Sequence, residues 1–219
     1  KNSEDISKDI VSKLKNHEDF RKIFSNFLYE IGFNKGGTFW DRFVVRVAPA
    51  ENNLPYREAS RINIHRDTWG TNLYQQINWW APVSNVEEKN TMIFYPDYFD
   101  VPVKNTTSTW DLNIYLANRK KGDFSYPSAP QLKEDLPNNI KKIPVTIKPG
   151  EILCFSGAHL HSSSKEKSEN TRISFEIRTI CENDLNSSAQ APNVDCDLQW
   201  KFPKIFKKIN DNSPLKITS

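Results

Sequence analysis

Apolar residues near the start of the chain recur at helical spacing: Ile6, Ile10 and Leu14, then Phe20, Phe24, Phe27, Leu28 and Ile31. Steps of three and four put them on one stripe, so residues 3–31 are predicted to form one or two amphipathic helices with lysines and acids outward. Gly32 and the Gly36-Gly37 pair end that region and open a turn. Beyond it the period falls to that of strands. Residues 38–47 carry Phe43, Val44, Val45 and Val47 beside Arg42 and Arg46. Residues 73–83 set Gln76, Asn78 and Trp80 on one face, Ile77 and Trp79 on the other. A further strand runs over 91–96 and stops at Pro96, and Ile152, Leu153, Cys154 and Phe155 make a short run suited to a buried strand. The clearest alternation is at 172–178, where Arg172, Ser174, Glu176 and Arg178 interleave with Ile173, Phe175 and Ile177. One face of that strand is charged and the other greasy.

Between these segments lie stretches without a period. Residues 48–60 hold two prolines, two asparagines and several charges, and read as a loop. Residues 100–139 are rich in Asn, Thr, Pro and aromatics. Loops of that length in a compact domain are usually functional or disordered, which makes Asn105, Trp110, Tyr115 and Tyr126 candidates for substrate contact. After a polar linker at 186–193, Trp200, Phe202, Ile205 and Phe206 mix with lysines in a tail expected to pack on the body. The fold class is therefore mainly β with flanking α-helices, in a single domain over 1–219. Its parts are an N-terminal helical buttress at 1–37, a β core at 38–180 and a C-terminal extension at 181–219.

Composition narrows the function classes. The 30 basic residues against 27 acidic ones leave a net charge of +3, which gives no argument for nucleic acid or a membrane surface as partner. No apolar run approaches the roughly 20 residues of a membrane span. Cys154, Cys181 and Cys196 show no Cys-x-x-Cys spacing, so they suggest neither a disulfide framework nor a zinc site, and a cytoplasmic location is expected. With seven glycines and no phosphate-cradling loop, a nucleotide-binding fold has little support.

Candidate chemistry sits in two places. His65 and Asp67 are two apart, and on a strand they face the same way and grip one ion. Thr68 and Trp69 follow directly, where the lip of a substrate pocket would form. Far along the chain His159 and His161 come straight after the apolar run at 152–155, and they compete for a third ligand position. Two imidazoles and one carboxylate on one side of a metal, with open positions opposite, is the ligand set of non-haem Fe(II) oxygenases.

His65-x-Asp67, a distant His161 and Arg172-x-Ser174 resemble the signature of the Fe(II)/2-oxoglutarate-dependent dioxygenases, and within them the phytanoyl-CoA dioxygenase-like branch. The resemblance spans residues 43–178 and rests on those five positions. It implies a double-stranded β-helix, the jelly roll of cupin-like proteins, with Fe(II) held by His65, Asp67 and His161. It favours His161 over His159 because a small polar residue follows, as is the family's habit; His159 then lines the cavity. Arg172 comes eleven residues after His161 (172 − 161 = 11), the spacing at which the family's arginine pairs with the far carboxylate of 2-oxoglutarate. A guanidinium meets that carboxylate in a two-bond fork, and Ser174 adds a hydroxyl. Trp80-Ala81-Pro82-Val83 stands where a tryptophan strand borders the co-substrate, with Gln76 beside it. Asn78 and Arg178 join His159, Thr68, Trp69 and Asn105 on the substrate side. O2 is the oxidant and hydroxylation of a small-molecule substrate the expected outcome. Asp97-Tyr98-Phe99 departs from the family's Gly-Ser-His ending, so a phytanoyl-type substrate does not carry over. A non-oxidative metal-binding cupin, an isomerase or sensor, would have no use for Arg172. Arg172 and Arg178 also reproduce the Arg-x5-Arg spacing of nucleic-acid demethylases, against which the charge balance stands.

Overall fold

The computed structural model describes residues 9, 12, 13, 17–34, 36–41, 43–48, 50, 62–123, 125–164, 168–187 and 189–217. Ile6, Ile10, Leu14, Arg42 and nearly all of the 48–60 loop lie outside these. In chain order the elements are helix α1 (Glu18–Glu30), strands β1 (Thr38–Trp40) and β2 (Val44–Ala48), a single turn α2 (Thr68–Thr71), β3 (Ile77–Pro82), β4 (Met92–Phe94), helix α3 (Leu112–Lys120), β5 (Ile143–Pro144), β6 (Leu153–Ser156), β7 (His161–Ser163), β8 (Arg172–Cys181), α4 (Glu182–Ser187) and β9 (Lys207–Lys208).

The long strand β8 organises the larger sheet. On one side it pairs with β3, from Ile77 opposite Thr179 to Pro82 opposite Ser174, and β6 continues beyond β3. On the other side β2 covers its first half and β1 its second, with β9 outside β1. A smaller sheet runs β5-β4-β7, and every pairing in both sheets is antiparallel. The alternation in β8 decides what each face does. Ile177 and Phe175 meet Trp79, Trp40 and Phe43 on the outer face, where α1 lays Phe24 and Leu28 over them. Phe24 sits edge-on to both Phe43 and Trp79. Glu18 and Asp19 suit the positive end of the α1 dipole, and Gly32, at φ +99°, ends the helix in a conformation other residues rarely adopt. The described part of the helical stripe, Phe20, Phe24, Phe27 and Leu28, thus lies on the sheet.

On the inner face Trp80, Leu153 and Phe155 of the larger sheet pack with Met92, Phe94 and Val145 of the smaller one, so the two sheets face each other. Phe94 and Phe155 meet edge to face, centroids 5.0 Å apart.

Two stretches differ from expectation. Residues 100–139 contain α3, capped by the Asp111 carboxylate, which accepts from the backbone N–H of Asn113 and Ile114. No residue of α3 is buried; its apolar stripe, Leu112, Tyr115 and Leu116, is short and only partly covered. The C-terminal part is woven into the interior: Phe206 and Leu215 pack with Phe39, Leu73 and Ile180, and Cys196 and Leu198 with Trp69, Tyr74 and Leu160.

Candidate metal centre

His65 and His161 come from segments almost a hundred residues apart and are joined as one antiparallel bridge. The N–H of each donates to the other's carbonyl, at 2.9 and 3.0 Å. That pairing sets the rings side by side, centroids 4.3 Å apart. Each ring is then fixed from behind. The Nδ1 of His65 lies 2.8 Å from the carbonyl of Asn63, and the Nδ1 of His161 lies 2.9 Å from that of His159. A carbonyl only accepts, so both rings carry their proton on Nδ1 and present a bare Nε2 forward. Those two Nε2 atoms are each 3.6 Å from an oxygen of Asp67. One ligand atom from each of the three residues falls within 4.8 Å of the others. Asp67 reaches this point from the start of α2, not from a strand as the parity of His65 and Asp67 suggested.

Electrostatics agree with a cation site. Burial and the neighbouring His65 push the His161 imidazole down to about 4, so near neutral pH its Nε2 is a free lone pair. Burial opposes charge on Asp67, but the polar neighbourhood of His65, His161 and the Arg178 guanidinium holds its carboxyl well below the usual carboxylate range.

The carboxylate is oriented by a chain of amides. Asn78 Nδ2 donates to Asp67 Oδ2, Gln76 Nε2 donates to Asn78 Oδ1 at 2.8 Å, and Thr71 Oγ1 donates to Gln76 Oε1 at 3.1 Å. Gln76 is completely buried, takes part in this chain through both ends of its amide, and is not among the residues lining the cavity. Asn78 likewise acts through Asp67, although it also lines the cavity. Gly157 gives the chain its room: a Cβ there would stand 2.6 Å from Gln76 Nε2.

Deeper along the same face of β8 are Arg172 and Ser174, both buried. Among the described residues the Arg172 Nε and the Ser174 Oγ have no hydrogen-bond partner. An unmet buried donor of this kind costs about 1–3 kcal/mol, which an acceptor bound beside it would offset. The guanidinium lies 5.9 Å from the centroid of Trp80, and burial together with Arg46 lowers its pKa to about 10. Arg46 is bound to Glu176. Arg178 is held by Asp41, whose carboxylate accepts from its Nε at 2.6 Å and its backbone N–H at 2.8 Å. Burial works against its charge, but Asp41 and Asp67 keep it protonated.

Other expected site residues fall elsewhere. Trp69 is fully buried and its Nε1 donates to Asp195 at 2.7 Å, so it offers no stacking face. Thr68 is buried in α2, and its hydroxyl has no partner. Asn105 braces the backbone at Val103 and Asp195 and the N–H of Thr107. His159 turns its ring onto Phe99, centroids 4.5 Å apart; burial and Arg66 lower its pKa, and its carbonyl is what orients His161. Sequence reasoning missed Asp41, Thr71, Gly157 and the buried Arg66–Asp195 pair, 3.1 Å apart, that fastens the C-terminal part beside the His65-Asp67 segment. Their only trace in the sequence is a polar residue next to a site segment.

The site opens into a cavity of about 700 Å³; its inner lining includes the buried His65, Asn78 and Trp80 with Asp67 and Phe155, and its outer lining the more exposed Leu112, Tyr115, Leu116 and Arg119 of α3 with Phe202, Lys204, Ile205 and Lys207. That volume is ordinary for a small-molecule site, which spans roughly 300–1,000 Å³.

No protein-family model and no curated protein matches the chain. Among solved structures it aligns with the non-heme alpha ketoglutarate dependent carbocyclase SnoK from nogalamycin biosynthesis, at 12% identity over 88% of this chain and 72% of that one, TM-score 0.48. It also aligns with EvdO2 from Micromonospora carbonacea var. aurantiaca complexed with 2-oxoglutarate, at 12% identity over 79% and 64%, TM-score 0.47. A third alignment is with the non-heme monooxygenase ThoJ, at 14% identity over 67% and 47%, TM-score 0.44. The chain thus spans about half the length of ThoJ and just under two thirds of EvdO2. At this level of likeness only the side chains of the site itself bear on what the protein does.

Proposed function

We propose that this protein is an Fe(II)- and 2-oxoglutarate-dependent oxygenase on a double-stranded β-helix, kin to the phytanoyl-CoA dioxygenase-like branch, which hydroxylates a small molecule in the cytoplasm. The observation that carries the reading is the triad: two imidazoles pinned through Nδ1 to backbone carbonyls, with both Nε2 atoms aimed at the Asp67 carboxylate. Pinning of this kind is how protein metal sites fix tautomer and ring orientation. The donor set also suits the metal, since imidazole and carboxylate on one side leave positions for a bidentate acid and oxygen.

The unpartnered Arg172 Nε and Ser174 Oγ fit the far carboxylate of 2-oxoglutarate, and Trp80 walls its path. A non-oxidative metal protein has no task for that buried cation. When bound, iron and 2-oxoglutarate supply oxidative decarboxylation of the keto acid coupled to oxygenation of a C–H bond. His65, Asp67 and His161 hold the metal, and the Asn78-Gln76-Thr71 chain keeps the carboxylate turned toward it. Phe94, Phe155 and Trp80 exclude water from the inner chamber. Because Asp67 occupies the carboxylate position, no place is vacated for a halide, and hydroxylation is the default outcome.

Anaerobic addition of Fe(II) and then 2-oxoglutarate tests this. A visible charge-transfer band is expected in the wild-type protein and in His159→Ala, and none in His161→Ala or Asp67→Ala. Arg172→Ala is expected to need about a hundredfold more 2-oxoglutarate. Absence of the band from wild type, or its survival without His161, would count against the reading.

A further inference from the structure

The outer half of the cavity has a composition unlike the inner half. Leu112, Tyr115, Leu116 and Arg119 fall at helical positions i, i+3, i+4 and i+7, so one face of α3 forms its wall. Facing into the same chamber are Trp110, Phe202, Lys204 and Lys207. The aromatics are continuous: Tyr115 to Trp110, Trp110 to Trp200 and Trp200 to Phe202 are spaced 6.4, 6.2 and 6.3 Å between ring centroids. The Arg119 guanidinium lies 6.0 Å from the Tyr115 centroid.

Charge in the cavity divides the same way. Among the described lining residues every carboxylate is in the inner half and already engaged: Asp41 with Arg178, Glu176 with Arg46, Asp67 with the two histidines. Arg66 is matched by Asp195. Among the described residues the outer lining has no carboxylate, while Lys204 and Lys207 stand there exposed. Beside an apolar wall, two lysine ammonium groups favour an anion at the rim.

We propose that this outer chamber binds a small organic anion with a ring-containing body, the ring lying along Trp110, Tyr115 and Phe202 and the anionic group meeting Lys204 and Lys207. This deepens the oxygenase reading, on which it rests only for its consequence that the bound anion is the molecule oxidised. Its ring end points toward the metal side chains, and its charged end stays near solvent.

Binding of 2-naphthoate, 1-naphthyl phosphate and neutral 2-naphthamide to metal-free protein, followed by calorimetry, tests the proposal without turnover. Both anions are expected to bind about five- to tenfold more tightly than the amide, the scale of one or two partly exposed charge contacts. Whichever anion binds more tightly identifies a carboxylate or a phosphate as the natural group. Lys204→Gln with Lys207→Gln is expected to erase the preference, and both side chains are exposed, so the fold does not depend on them. Phe202→Ala is expected to weaken acid and amide alike. Equal binding of acid and amide overturns the proposal, as does a preference that survives the lysine substitutions or is lost in Arg172→Ala alone. Because no iron or 2-oxoglutarate is present, a missing charge-transfer band in the wild-type protein removes the oxygenase reading separately and leaves this measurement to be judged on its own.

Discussion

Asn78 does for Asp67 what two backbone carbonyls do for the imidazoles: it fixes a ligand that is otherwise free to rotate. Asn78→Ala is therefore expected to lower metal affinity about 10- to 100-fold, measured by anaerobic Co(II) or Fe(II) titration, with little change in fold. Gly157→Ala tests the same chain from behind, since its Cβ would press on Gln76. It is expected to destabilise by about 1–3 kcal/mol in urea unfolding and to weaken metal binding as well. Gln76 and Asn78 stood out in the sequence as amides on an otherwise apolar strand. Their roles were not readable, because the carboxylate they serve belongs to another segment whose approach only the fold determines. Trp69 shows the converse: next to a ligand in sequence, it is turned inward by a hydrogen bond to Asp195, far along the chain.

Among the elements, β8 was the most legible, since alternation over seven residues fixes both a core face and a polar face. The α1 stripe was legible for the same reason, and its energetic role follows. Phe24→Ala empties a position enclosed by Trp40, Phe43 and Trp79, and is expected to cost about 3–5 kcal/mol while leaving the metal centre intact. Helix α3 was missed because its stripe, Leu112, Tyr115 and Leu116, is short and sits inside a long stretch that otherwise shows no period. The C-terminal part was undervalued because what holds it, two apolar clusters and the Arg66–Asp195 pair, is drawn from residues far along the chain. Arg66 also donates to the carbonyls of Ala158, Tyr98 and Val101. Asp195→Ala leaves that guanidinium without its carboxylate, and a loss of about 3–5 kcal/mol is expected by denaturant unfolding.

For the whole molecule, the fold brings His65-Asp67 and His161 together, with Arg172 buried on the face of β8 that carries Glu176 and Arg178 and close to Trp80. The family resemblance implied two packed sheets, and a single backbone bridge is what stands His161, not His159, beside His65 and Asp67. The buried site also couples folding to pH. Folded His161 titrates at about 4 against an ordinary 6.5, so between those values the unfolded chain takes up a proton that the folded one refuses. Stability is full above pH 6.5 and falls as pH drops toward 4, by up to about 3 kcal/mol. Urea midpoints of the metal-free protein across that range should show this slope, and His161→Gln should flatten it.

The central claim concerns three side chains and one ion, and X-ray absorption at the iron edge of the anaerobic Fe(II) protein addresses it directly. One iron per chain is expected, with two imidazoles among nitrogen and oxygen neighbours; His159→Ala should keep both and His161→Ala should keep one. An iron shell lacking imidazole scattering, or one unchanged when His161 is removed, would contradict the account.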